Sequence, residues 1–141
     1  MQTLLATAAA ATGFTRLLAA LDAAALSEHL GGAGPFTLFA PTDDAFGRIA
    51  PGALAALFDD LPRLRAVVSY HVVPGHVADR DIWAGTLVTL EGSALLAGVD
   101  DGRLTVNGTR VMANDIAATN GLIHVVGRLL VPRRISLGAA A

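Results

Sequence analysis

The chain has 141 residues, enough for one domain with a real core and too few for two comfortable ones. Hydrophobic residues make up 53% and charged residues 16%, which excludes a disordered chain; there is no cysteine, which excludes disulfides and thiolate metal sites. The formal charge is -2, every basic residue is an arginine, and the arginines are scattered along the sequence, so no basic stripe for nucleic acid is visible.

The opening, MQTLLATAAAATG, has the apolar character of a secretion signal but no positive residue ahead of it. It is expected to be a helix of the mature domain, ended by Gly13, and any secretion signal would lie upstream of an added Met1. In FTRLLAALDAAALSEHL, Phe14, Leu17, Leu18 and Leu21 fall on one face of a second helix. Asp22 is placed to cap a third short helix, with Leu26 and Leu30 on its apolar side and Gly31-Gly32 as its stop. Helices joined by such tight corners are expected to wrap around something.

That something begins at Pro35. Phe36 to Ala40 is apolar on both alternating faces, the pattern of a strand covered on both sides. Pro41 has no N–H and stops the ladder. Thr42 is a suitable N-cap, Asp43 and Asp44 fall in the first turn where the helix dipole favours carboxylates, and Ala45, Phe46 and Ile49 begin an apolar face. A further helix is signalled by LPRLRAVVSYHVV: Pro62 sits in its first turn, Leu64, Val67 and Val68 share a side, and the chain turns towards a strand near His71. Pro74-Gly75 ends this segment.

From Trp83 the period changes to two. TLVTLEG, SALLAGV, GRLTVNG, TRVMAND and GLIHVVGRLLVP are short strand-like runs, and Asp101-Gly102 and Asn107-Gly108 mark hairpin turns. Helices first and antiparallel strands afterwards give an α+β class, a compact sheet wedge or sandwich with helices packed around it. One domain is expected over residues 1–132, with 133–141 as a tail in which Arg133-Arg134 is solvated. No apolar run is long enough to cross a bilayer, because charges such as Arg16 and Asp22 interrupt the candidates.

Catalytic constellations are absent from the pattern. None of Ser27, Ser69, Ser93 and Ser136 sits in a Gly-x-Ser-x-Gly elbow, and Glu28-His29 has no second histidine at zinc-protease spacing. His71 and His76 would need a distant third ligand such as Asp79 or Asp81, so neither a metal site nor a cofactor is expected. Asp43-Asp44 has the composition of an acid–base pair but the position of a charged first turn. His71 and His124, in YHVV and IHVV, are expected to be buried and bonded to backbone or a carboxylate. The glycines at 31–34 precede a strand, the wrong order for a phosphate loop. On this reading the chain is not an enzyme.

Several stretches together resemble the fasciclin domain family. TLFAPTDDAF resembles its first signature and NGLIHVVGRLLVP its second; SYHVVPG is similar to its Tyr-His segment, and LTVNGTRVMANDIAATNG to the run leading into the second signature. The resemblance spans residue 2 to Pro132. It implies a sheet wedge with helices around it, and a non-enzymatic adhesion or interaction module of a secreted, periplasmic or cell-surface protein. It further implies partners among cell-surface or matrix proteins or polysaccharides. By the same resemblance the candidate binding residues are Tyr70 and His71 in the Tyr-His segment, and Asp115 and Ile116 ahead of the second signature. The lysine-free, alanine- and arginine-rich composition is bacterial in style. The alternative function is binding of a small apolar ligand such as a carotenoid or lipid, with Trp83 and Met112 as wall residues.

Overall fold

The computed structural model describes residues 2–11, 13–32, 34–77 and 85–132. Three short helices come first: α1 (Leu4–Ala10), α2 (Thr15–Ala23) and α3 (Ser27–Leu30). Strand β1 (Phe36–Pro41) follows, then α4 (Asp43–Gly47), α5 (Pro51–Asp59), α6 (Leu61–Ser69) and the short strand β2 (Val72–Pro74). The chain finishes with β3 (Gly85–Val88), β4 (Ala94–Asp100), β5 (Arg103–Val106), β6 (Thr109–Ala118) and β7 (Gly121–Val126).

The strands form one sheet in the order β2-β1-β7-β6-β5-β4-β3. Every neighbouring pair is antiparallel except β1 and β7, which run parallel from Phe36 opposite Gly121 to Pro41 opposite Val126. Strand β6 pairs with both β5 and β7, and its register slips twice, between Val111 and Ala113 and again between Ala113 and Ile116. Such bulges bend a strand and increase its twist, and here they curl the sheet until its ends approach. The N–H of Leu90, just past β3, reaches the carbonyl of Val72 in β2 at 2.7 Å. The result is a wedge close to a closed barrel.

The alternating apolar faces of β1 account for two cores. Leu38 and Ala40 of β1, with Ile123 and Val125 of β7, pack beneath the helices against Leu4, Leu17, Leu21, Phe46, Leu57 and Leu64. Phe39 and Val126 point the other way, into the curl of the sheet, and meet Tyr70, Val73, Leu95, Leu104 and Val106. Removing a leucine side chain of this kind from water contributes about 2 kcal/mol. The two-faced strand read from PFTLFA is therefore present.

Two expectations need correction. Asp22 caps nothing: it lies inside α2, exposed, and α3 starts after Leu26 without a side-chain cap. The helix after Thr42 is not one continuous element. It stops at Gly47, and Pro51, suited to a first helical position, opens α5. The strand runs after Trp83 pair antiparallel as expected, and β1 joins the last of them in parallel.

The Pro-Thr-Asp-Asp junction carries two caps. Pro41 ends the β1 ladder, and the Thr42 hydroxyl accepts from the Ala45 N–H at 3.2 Å, capping α4. Asp43 reaches further. Its Oδ1 accepts from the Arg16 N–H at 2.8 Å, while its own N–H donates to the Gly13 carbonyl at 2.7 Å. Asp43 thus caps the start of α2, whose own N-cap residue, Phe14, offers no side-chain bond. Asp44 is exposed in the same turn and makes no such bond. We expect Thr42→Ala and Asp43→Ala each to lower unfolding free energy in urea by about 1 kcal/mol, and Asp44→Ala by less than about 0.5 kcal/mol. Equal losses at Asp43 and Asp44 would show that the long-range cap is not used.

Candidate functional site

Helix α6 ends at Ser69, Tyr70 is its C-cap, and His71 occupies the corner before β2. His71 is fully buried. Its Nδ1 lies 2.8 Å from the Val67 carbonyl, which can only accept, so Nδ1 carries the proton. Nε2 then accepts from the Leu130 N–H at 2.9 Å. The backbone joins in as well, since the Phe39 N–H donates to the His71 carbonyl at 2.8 Å. One neutral ring thereby fastens α6 and the segment after β7 to the edge of β1. Burial drives its pKa down from 6.5 to about 4, partly opposed by the bond to Val67.

Tyr70, 4% exposed, turns its ring into the core inside the sheet. Its hydroxyl donates to the Ala94 carbonyl at 2.8 Å and accepts from Asn107 Nδ2 at 2.8 Å. Asn107 closes the network by accepting from the Leu96 N–H and donating its own N–H to the Leu96 carbonyl, both at 2.8 Å. Asn107 sits at φ +50° in the β5–β6 turn, a conformation asparagine tolerates better than most residues. His124 is equally interior: its Nε2 lies 2.9 Å from the Val77 carbonyl, and its ring is 5.3 Å from that of Phe39. Beside it, the Thr37 hydroxyl donates to the Gly75 carbonyl and accepts from the Val77 N–H, both at 2.8 Å.

The candidate binding residues do not share a surface. Tyr70 and His71 face inward, and a partner could reach them only through local opening. Asp115 and Ile116 belong to the bulged stretch of β6. Ile116 pairs with Ile123 and is 36% exposed. The Asp115 side chain lies outside the described residues.

One further buried side chain, Asn120, holds distant parts of the chain together. Asn120 accepts from the Leu4 N–H at 2.9 Å and donates to the carbonyls of Leu30 at 2.7 Å and Gly32 at 2.9 Å. It ties α1 and α3 to the β6–β7 turn. Local sequence showed only a turn-forming Asn-Gly; the partners lie about ninety or more positions away, beyond any local pattern.

Among the described residues, two of the open surface grooves bear on recognition. The first, of about 470 Å³, is lined by Arg48 at the end of α4, Arg110 and Met112 on β6, Arg128 after β7, and Gly108-Thr109 of the β5–β6 turn. Arg110 forms an exposed ion pair with Asp100 at 3.6 Å, whereas Arg48 and Arg128 have no carboxylate partner among the described residues. The arginines that appear scattered in sequence are thus partly gathered in space. The second groove, of about 500 Å³, is apolar, with Ala19, Ile49, Pro51, Leu54 and Phe58 between α2 and α5. Met112, expected as a wall for an apolar ligand, is 65% exposed and lines the arginine groove instead. Trp83, Asp79 and Asp81 lie outside the described residues. Among the described residues there is no group of three His, Asp or Glu that could hold a metal ion, and no helix long and apolar enough to cross a membrane.

Comparison with known proteins gives a consistent picture. Residues 12–132 match the fasciclin domain. Protein sll1483 of Synechocystis is 39% identical over 132 residues, covering 92% of this chain and 73% of that protein. A second Synechocystis protein, sll1735, is 38% identical over 119 residues, covering 84% of this chain and 89% of its own. Human periostin is 36% identical over 107 residues, 74% of this chain and 13% of periostin. Among solved structures, the FAS1 domain pair of the insect cell adhesion molecule fasciclin I superposes with a TM-score of 0.83 at 20% identity. That match covers 94% of this chain and 52% of the pair, a likeness of fold.

Two outcomes test the interior assignment. Tyr70→Phe removes the hydroxyl that joins Ala94 to Asn107, and urea unfolding should show a loss of about 1–2 kcal/mol; an unchanged midpoint would mean the network is not formed. For His71, the unfolded pKa near 6.5 exceeds the folded value of about 4, so the unfolded state binds the extra proton. Its contribution is complete above pH 6.5 and disappears as pH falls through 4, a change on the order of 3 kcal/mol. Urea unfolding at pH 7, 5.5 and 4 should therefore fall more steeply for the wild type than for His71→Gln. Parallel profiles would show that His71 is not held neutral.

Proposed function

The chain belongs to the fasciclin domain family, and from that premise we propose that it is a non-enzymatic adhesion module of a secreted, periplasmic or cell-surface protein. The domain runs over residues 1–132, with 133–141 as a tail. The observation that carries this reading is the combination of the family match with an interior whose polar side chains are occupied. Tyr70, His71, Asn120 and Thr37 are buried, and each bonds to backbone. Such groups are held in place and are unavailable to a substrate, which leaves recognition to the outside of a rigid body. Asp115 and Ile116 on β6 are the contact residues carried over from the family, with Tyr70 and His71 supporting the frame from within. Partners are surface or matrix proteins or polysaccharides.

A surface with open, shallow grooves gives weak single contacts, so adhesion works through many copies. Beads densely coated with the protein should attach to cells of its own source well above albumin-coated beads, and soluble monomer should compete only at high concentration. Attachment no better than albumin across several cell and matrix surfaces would end the adhesive reading. A second reading, binding of a small apolar ligand, is favoured by the groove of Ile49, Leu54 and Phe58. Pigment or lipid extracted from the protein purified from its own cells in near-stoichiometric amount would support it.

A further inference from the structure

We propose that the groove between Arg48, Arg110 and Arg128 binds acidic polysaccharide, taking sugar units that carry carboxylate or sulfate. This rests on the adhesive reading and names the chemistry of one partner. Three guanidinium groups from distant parts of the chain line one depression: one closes α4, one starts β6, one follows β7. Arginine stays charged at any physiological pH, and its planar fork matches carboxylate and sulfate oxygens. Gathering three such groups costs mutual repulsion, which a bound anion reverses. Two of them lack an acidic partner among the described residues. The third is held by an ion pair at 3.6 Å whose side chains are 49% and 70% exposed, a weak contact that an incoming anion can replace.

The shape and lining narrow the class of anion. The groove is open along the surface, so a polymer can lie through it without an end entering a cavity. Its lining offers the Thr109 hydroxyl and the backbone of the Gly108 turn, and no aromatic ring on which bases could stack. Met112 is the one large apolar side chain in the lining, too little apolar surface to anchor the groove in a membrane by itself. Beyond Arg48 the next depression is of mixed charge, with Asp43 and Asp44 beside Arg16, and is less suited to an anion.

The test compares the wild type with an Arg48→Gln/Arg128→Gln double variant and with Arg103→Gln, which removes an exposed arginine outside the groove. Probes are polygalacturonate, dextran sulfate, neutral dextran, single-stranded DNA and phosphatidylglycerol vesicles, each over a salt series. The wild type should bind the two acidic polysaccharides and not neutral dextran. The double variant should bind at least about tenfold more weakly, with a log K against log salt slope smaller by roughly two, while Arg103→Gln changes binding less than about twofold. Preference between polygalacturonate and dextran sulfate then tells carboxylate from sulfate. Unaltered melting temperatures keep the loss from being one of folding. The site is refuted by no binding to either acidic polysaccharide, by an equal loss in Arg103→Gln, or by tighter binding to DNA or vesicles. Coated beads that attach to cells without binding these polysaccharides would refute the site and leave adhesion standing. Groove-dependent polysaccharide binding without bead attachment would support the site and remove the adhesive role.

Discussion

Six residues of β1 run parallel to six of β7, so the first and last strands among the described residues share one ladder inside the sheet. A parallel pair of this kind is stable when both faces are covered, and every residue of β7 is buried. That requirement sets the rest of the architecture. The helices must lie on one face, and the remaining strands must curl round to cover the other. The register is fixed sterically where the ladder starts, because a Cβ at Gly121 would overlap the Phe36 carbonyl. Glycine at that position is a condition for β1 and β7 to meet.

A fold closed in this way has layers, and layers have polar seams. Each helix end and strand end that meets another layer brings backbone groups out of water, and each such group needs a partner. Side chains at the seams supply them. Asn120 serves the helices at one end of β7, His71 serves the loop after its other end, and Tyr70 with Asn107 joins α6 to β4 and the β5–β6 turn. His71 shows the consequence for chemistry. A histidine with one nitrogen donating, the other accepting, and its pKa near 4 is neither a base in contact with solvent nor a cation for a partner. Its residue type suggests reactivity, and its surroundings remove it.

How much of this was legible in the sequence depended on distance along the chain. The two-faced strand at Phe36, the Thr42 cap, the hairpin turns at Asp101-Gly102 and Asn107-Gly108, and the α+β class were readable because their signals are local. The signature stretches made the family readable as well. What stayed hidden was set by residues far apart. Asp43 looked like a dipole partner for its own helix and instead caps α2, twenty-seven residues earlier. The β1–β7 pairing has no short-range signal that separates parallel from antiparallel. Pro51 carries a local signal for the start of α5, although Ile49 continues the apolar spacing of the helix before it. The arginine groove was invisible for the same reason as the Asn120 hub: Arg48, Arg110 and Arg128 become neighbours through the fold.

The same geometry bears on how such a domain can diversify. Its interior tolerates little change, since the buried polar groups are matched to one another and the strands on both sides of β1 are apolar and closely packed. The rim around α4, the β5–β6 turn and the segment after β7 is under no such constraint: Arg48, Arg110 and Arg128 are exposed, and none of them serves a buried group. A change there alters surface charge at small cost in stability. The position of the groove nonetheless depends on the interior. His71 holds the start of the post-β7 segment through Leu130, and Tyr70 holds the β5–β6 turn through Asn107. Two adjacent buried residues therefore anchor two of the three walls that carry the arginines, and the Tyr-His segment bears on surface recognition by fixing the spacing of groups it never touches.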